Sequence, residues 1–125
     1  MGDRAGDVVV IDDDADWREA VVEFLSQSGF HPVGFGDARI ALAALRGAGG
    51  LPGVILLDLE MPGMTGWEFR REQLLDPRLA RIPVVVASGA EDPAPIDADA
   101  FLAKPYETDE LCRVLAVLGS RSMAA

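Results

Sequence analysis

Four short runs of consecutive apolar residues punctuate the chain: Val8–Ile11, Val54–Leu57, Val84–Ala87 and Ala100–Ala103. They are continuous rather than alternating, the pattern of strands covered on both faces. A weaker run, Pro32–Phe35, follows a turn at Ser28-Gly29. Helical spacing fills the intervals. Trp17, Ala20, Val21, Phe24 and Leu25 form one stripe, with Gly29 placed just past its end. Asp37 is positioned to cap a helix carrying Ile40, Ala41, Ala44 and Leu45, and Thr65 with Glu68 three residues on predicts a capping box for a third. Leu111, Val114, Leu115 and Leu118 make a last helix, capped by Thr108. Strands alternating with helices imply right-handed βαβ crossovers, so the expected fold is a doubly wound α/β domain: a five-stranded parallel sheet with helices on both faces. One crossover is unusually short. Gly89 to Asp99 gives 11 residues, close to the minimum of about 10–12. Pro93 and Pro95 oppose a regular helix there, so the fourth helix is expected to be short or missing.

At 125 residues the chain fits one domain, residues 1–125, with a core of about 7–118 and a flexible tail expected over 119–125. Gly47 to Gly53 reads as a loop rather than a boundary. Half of the residues are apolar, yet no apolar run is long enough to cross a bilayer and the start lacks a signal-peptide core, so a cytoplasmic protein is expected. With 21 acidic against 11 basic residues, the net charge of −10 disfavours direct binding to nucleic acid or to an anionic membrane. The single cysteine, Cys112, excludes an internal disulfide and offers no soft metal site.

The chemistry collects directly after the strong strands: Asp12 and Asp13 after Ile11, Asp58 after Leu57, Ser88 after Ala87 and Lys104 after Ala103. In an open parallel sheet these carboxyl ends share one edge, where such folds bind ligands. An Asp ending a strand is ordinarily a turn former or helix cap; five such residues at four strand ends are a different matter. Three neighbouring carboxylates must take up protons or bind a cation, and hard oxygen donors favour magnesium or manganese. A carboxylate can then act as a nucleophile toward phosphorus, with Lys104 and the Ser88 hydroxyl meeting the phosphoryl oxygens. Nearby residues admit plainer roles. Asp16 is expected to cap the first helix and Asp14 to be solvated, although either can join the acidic pocket. His31 is expected to be structural or exposed, Cys112 a small core or groove residue, and Trp17 and Trp67 core packing. Met61-Pro62-Gly63-Met64 reads as a bent loop that also controls access to Asp58.

The segments VVVIDDDAD, VILLDLEMPGMTG, PVVVASGA and AFLAKPYETDEL together resemble the response-regulator receiver family of two-component signalling, over about residues 7 to 118. The resemblance implies a flavodoxin-like sheet of order 2-1-3-4-5. It makes Asp58 the phospho-acceptor, Asp13 a direct magnesium ligand and Asp12 a ligand acting mainly through water, with the backbone carbonyl of Glu60 completing the metal shell. Ser88 and Lys104 would contact the phosphoryl group, Ser88 and Phe101 would act as the switch pair, and the Lys104-Pro105 bond would be cis. It implies a signalling domain rather than an enzyme. The phosphoryl group would come from a sensor histidine kinase or histidine phosphotransferase, and the domain would act on a downstream protein partner. Because the face of the fourth helix is reduced, a monomer is expected. Two other readings compete: a receiver-fold binding module working without phosphorylation, and an aspartyl-phosphate phosphatase of haloacid-dehalogenase type. The second needs an Asp where this chain has Glu60, and a cap for which there is no length.

Overall fold

The computed structural model describes residues 4–90 and 94–124. Nine elements follow in order: β1 (Arg4–Ile11), α1 (Ala15–Gln27), β2 (His31–Phe35), α2 (Ala38–Gly47), β3 (Pro52–Asp58), α3 (Gly66–Leu75), β4 (Val84–Ser88), β5 (Ala100–Ala103) and α4 (Thr108–Ala124). All strand pairs are parallel, and the sheet runs β2-β1-β3-β4-β5. Alternate side chains of the central strands feed two cores. Val9, Ile11, Ile55, Leu57, Val84 and Val86 pack under α2 and α3 with Leu42, Leu45 and Phe69. Val8, Val10, Val54, Leu56, Val85 and Ala87 pack under α1 and α4 with Leu25, Leu111 and Leu115. The continuous apolar runs are thus explained: every residue of β3 and β4 is buried, whichever face it points to.

Local signals fall largely where they were read. Asp37 caps α2, Thr65 and Glu68 make both halves of a capping box on α3, and Gly29 ends α1 at φ 95°. Ile40 and Ala44 are the exceptions on α2. Both are exposed, Ile40 at 61%, because Ala38, Ala41, Leu42 and Leu45 form the buried stripe. Asp14 rather than Asp16 caps α1, its carboxylate accepting the Trp17 amide at 3.1 Å. At α4 it is the Glu107 carbonyl that receives the first helical bond, from Leu111, so Thr108 lies inside the helix. Of the tail expected over 119–125, residues 119–124 are helical, and residue 125 lies outside the described residues. Helix α4 continues to Ala124, since an established helix extends at little cost through residues such as Arg121, Met123 and Ala124, and Gly119 alone does not stop it.

The short crossover between β4 and β5 has no helix among its described residues, 94–99; residues 91–93 lie outside them. It is held instead by side chains of α3. Arg70, almost fully buried, donates to the Asp97 carbonyl at 2.7 Å and to Gln73 Oε1 at 2.9 Å, and Trp67 Nε1 donates to the Ala94 carbonyl at 3.0 Å. Ile96 and Ala98 pack onto the core beneath. The strap therefore covers apolar surface that a helix in this position would cover. No helix among the described residues is long and apolar enough to cross a membrane.

Candidate functional site

The carboxyl ends of β1, β3, β4 and β5 bring together the residues singled out in the sequence. Asp12 and Asp13 follow β1, Asp58 closes β3, Ser88 closes β4 and Lys104 follows β5. Carboxylate oxygens of Asp12, Asp13 and Asp58 lie within 4.8 Å of one another. Asp12 and Asp58 are buried and Asp13 is exposed, so the cluster has an inner wall and an open side. Asp14 and Asp16 do not belong to it. Lys104 Nζ donates to Asp12 Oδ2 at 2.7 Å and stands 3.6 Å from Asp58 Oδ1. One ammonium thus faces three carboxylates, leaving an excess of negative charge.

The backbone around these groups is fixed from several directions. The Asp12 amide bonds the Phe35 carbonyl at 3.1 Å, its carbonyl accepts from Arg18 Nη1 at 2.7 Å, and its Oδ1 accepts the Asp14 amide at 3.0 Å. Asp58 is held from behind by α3. The Gly66 amide reaches the Leu59 carbonyl at 2.8 Å, and a Cβ on Gly66 would lie 2.5 Å from the Asp58 carbonyl oxygen and 2.7 Å from Leu59 Cα. Only glycine permits that approach. Ser88 is buried and its Oγ accepts the Ala90 amide at 3.1 Å, which leaves the hydroxyl proton as a donor. The Lys104 amide bonds the Ser88 carbonyl at 2.9 Å, so the two residues are tied through their backbones. The Lys104-Pro105 bond is cis.

Burial pushes the Asp58 carboxyl up to about 6; Lys104 opposes this, and Asp12 and Asp13 add to it. Uncompensated negative charge among oxygen donors, with an open side at Asp13, fits a hard divalent cation such as magnesium or manganese, which keeps water and accepts one or two carboxylates.

Of the remaining residues read in the sequence, some lie beside this pocket and others, His31 and Cys112, lie away from it. Glu60 is exposed two residues beyond Asp58, while Met61 is buried and Gly63 takes φ 76° in the loop that follows. Phe101 stands on β5, 54% exposed. His31 opens β2 and is exposed; Cys112 is partly buried against the core under α1 and α4. Three neighbours were not read as part of the site. Arg18 reaches back to Asp12. Trp17 places its ring centroid 5.3 Å from Lys104 Nζ, and its Nε1 lies 3.3 Å from the hydroxyl of Tyr106. Burial pushes that hydroxyl up to about 12, so it stays protonated. None carries a strand-end signal, because each arrives from a helix or turn across space.

A family model described as the response regulator receiver domain matches residues 8–116. Among curated proteins, the C4-dicarboxylate transport transcriptional regulatory protein DctD of Rhizobium meliloti (strain 1021) is 37% identical over 114 residues, covering 86% of this chain and 24% of DctD. The transcriptional regulatory protein FixJ of Bradyrhizobium diazoefficiens is 32% identical over 117 residues, 88% of this chain and 55% of FixJ. The chain therefore spans about a quarter and about half the length of these relatives. Among solved structures, a CheY-like receiver domain protein from Methanospirillum hungatei JF-1 superposes with a TM-score of 0.82 at 31% identity, covering 98% of this chain and 100% of the other. The receiver domain of a signal transduction histidine kinase from Syntrophus aciditrophicus gives 0.84 at 26% identity, over 92% and 90%.

Proposed function

This chain belongs to the response regulator receiver domain family, and on that premise we propose that Asp58 takes the phosphoryl group and that residues 1–125 act as one such domain. The observation that carries the assignment is the placement of Asp58: a buried carboxylate at a strand end, 3.6 Å from an ammonium and beside two further carboxylates. An Asp58 oxygen attacks phosphorus, an acyl phosphate bond forms, and the bond to the donor breaks with its electron pair leaving on the donor. Lys104 turns toward the new phosphoryl oxygens, and the Ser88 hydroxyl donates to another. No general base is needed, because the attacking carboxylate carries no proton. Asp12, Asp13, Asp58 and the backbone carbonyl of Glu60 would hold magnesium, which when bound supplies positive charge for the phosphoryl oxygens.

Donor and output are carried over from the family. A histidine kinase or histidine phosphotransferase presents the phosphoryl group, and Ser88 and Phe101 report its arrival. With no helix among the described residues of the strap between β4 and β5, the domain acts as a cytoplasmic monomer on a protein partner, not on nucleic acid. Water attack on the acyl phosphate later returns orthophosphate and free Asp58, which limits the chain's own chemistry to its own phosphoryl group. Incubation with acetyl phosphate and magnesium tests the reading. One phosphoryl group per chain is the expected result. Many turnovers of donor with no phosphoryl group retained on the chain would point to a phosphatase, and no transfer would point to a binding module.

A further inference from the structure

We infer that Trp17 is a positioning residue for Lys104: its indole face holds the ammonium against Asp12 and Asp58, and thereby speeds transfer to Asp58 without touching the phosphoryl group. The inference rests on the phospho-acceptor reading of Asp58. Lysine carries its charge on a flexible four-carbon stem, so an ammonium that must meet a phosphoryl oxygen gains from being placed beforehand. Here three groups surround it. Asp12 Oδ2 accepts at 2.7 Å, Asp58 Oδ1 stands at 3.6 Å, and the Trp17 ring closes a third side with its centroid at 5.3 Å, within the range where an aromatic face attracts a cation.

Trp17 is itself anchored at both ends of this contact. Its amide is bound by Asp14 in the loop that carries Asp12 and Asp13. Its ring meets Tyr106 edge to face, with centroids 5.5 Å apart and planes at 83°, and its Nε1 lies 3.3 Å from the Tyr106 hydroxyl. Tyr106 is two residues beyond Lys104, in the same turn. One side chain from α1 therefore joins the acidic loop to the turn that carries the lysine, at two points. Packing on the core under α1 and α4 gives no reason for the ring to lie under the ammonium as well.

Two readouts separate this from a packing role. In the wild-type protein the ring current of Trp17 should move the Lys104 ε-methylene proton resonances upfield; Trp17→Leu should remove that shift and Trp17→Phe should keep part of it. Phosphorylation of Asp58 by acetyl phosphate should slow about fivefold in Trp17→Leu, and change little in Trp17→Phe, which retains an aromatic face. In a Lys104→Ala background Trp17→Leu should cause no further slowing, because the group it positions is gone. An unshifted Lys104 methylene in the wild type, which needs no variant to fold, overturns the inference. So does a Trp17→Leu rate equal to wild type, or an equal loss in both backgrounds. A wild-type chain that takes no phosphoryl group at all would instead remove the reading of Asp58 beneath it, whatever the methylene shift.

Discussion

Asp58 lies buried at the carboxyl end of β3. Its carboxyl is raised from 3.8 to about 6 by burial and its acidic neighbours, so the folded chain binds that proton more tightly than the unfolded chain. The stability linked to it is therefore complete below about pH 4 and is lost as the pH rises through about 6. In the presence of a chelator, the melting temperature should fall over that window in the wild type and fall less in Asp58→Ala. At pH 7 the metal-free variant should be the more stable, on the order of 1–2 kcal/mol. A variant that melts lower than wild type at pH 7 would mean that Asp58 is not the strained group. Asp12, Asp13, Asp58 and Lys104 were legible because each sits where an apolar run stops, and a parallel sheet gathers such stops on one edge. Trp17, Arg18 and Tyr106 were not. The periodicity of Trp17 on α1 says that one side of the ring is covered, and says nothing of Lys104, 87 positions away in sequence, at its other side.

At the scale of elements, two packing contacts fix the site and its surroundings. The close seat of α3 behind Asp58 depends on Gly66. A Cβ there meets backbone rather than a movable side chain, so Gly66→Ala should cost on the order of 2–4 kcal/mol and shift Asp58 enough to slow its phosphorylation. Chemical denaturation and the rate with acetyl phosphate check both parts; wild-type stability would show that the helix can retreat freely. Buried Arg70 supports the strap between β4 and β5. Arg70→Met keeps the apolar stem but leaves the Asp97 carbonyl and Gln73 Oε1 without their donor. It should cost on the order of 2 kcal/mol and speed hydrogen exchange at the Asp99 amide, which bonds the Val84 carbonyl. Unchanged exchange there would mean that the strap holds itself. The lack of a helix among 94–99 was readable from Pro93, Pro95 and the short spacing. The partners of the strap were not, because Trp67 and Arg70 lie on a helix whose sequence pattern is weak: Arg70 and Gln73, both polar, are among its most buried residues. The extension of α4 to Ala124 was missed for the opposite reason. Gly119 and two serines look like a tail, yet a packed helix tolerates them.

The molecule as a whole has a doubly wound sheet with a concentrated negative edge, on a chain already at −10. Magnesium should raise the melting temperature, because it binds the assembled carboxylates and not the unfolded chain, and Asp13→Asn should blunt the shift. No response in the wild type at millimolar magnesium would exclude the proposed ligand set. The fold and the acidic edge both follow from where apolar runs begin and end; what the chain does with them rests on one residue. Intact-mass and peptide-mapping spectrometry after incubation with acetyl phosphate and magnesium tests that residue most directly. The account predicts a mass gain of a single phosphoryl group, located on Asp58 and absent from Asp58→Ala; a full gain in Asp58→Ala, or label mapped to any other side chain, would contradict it.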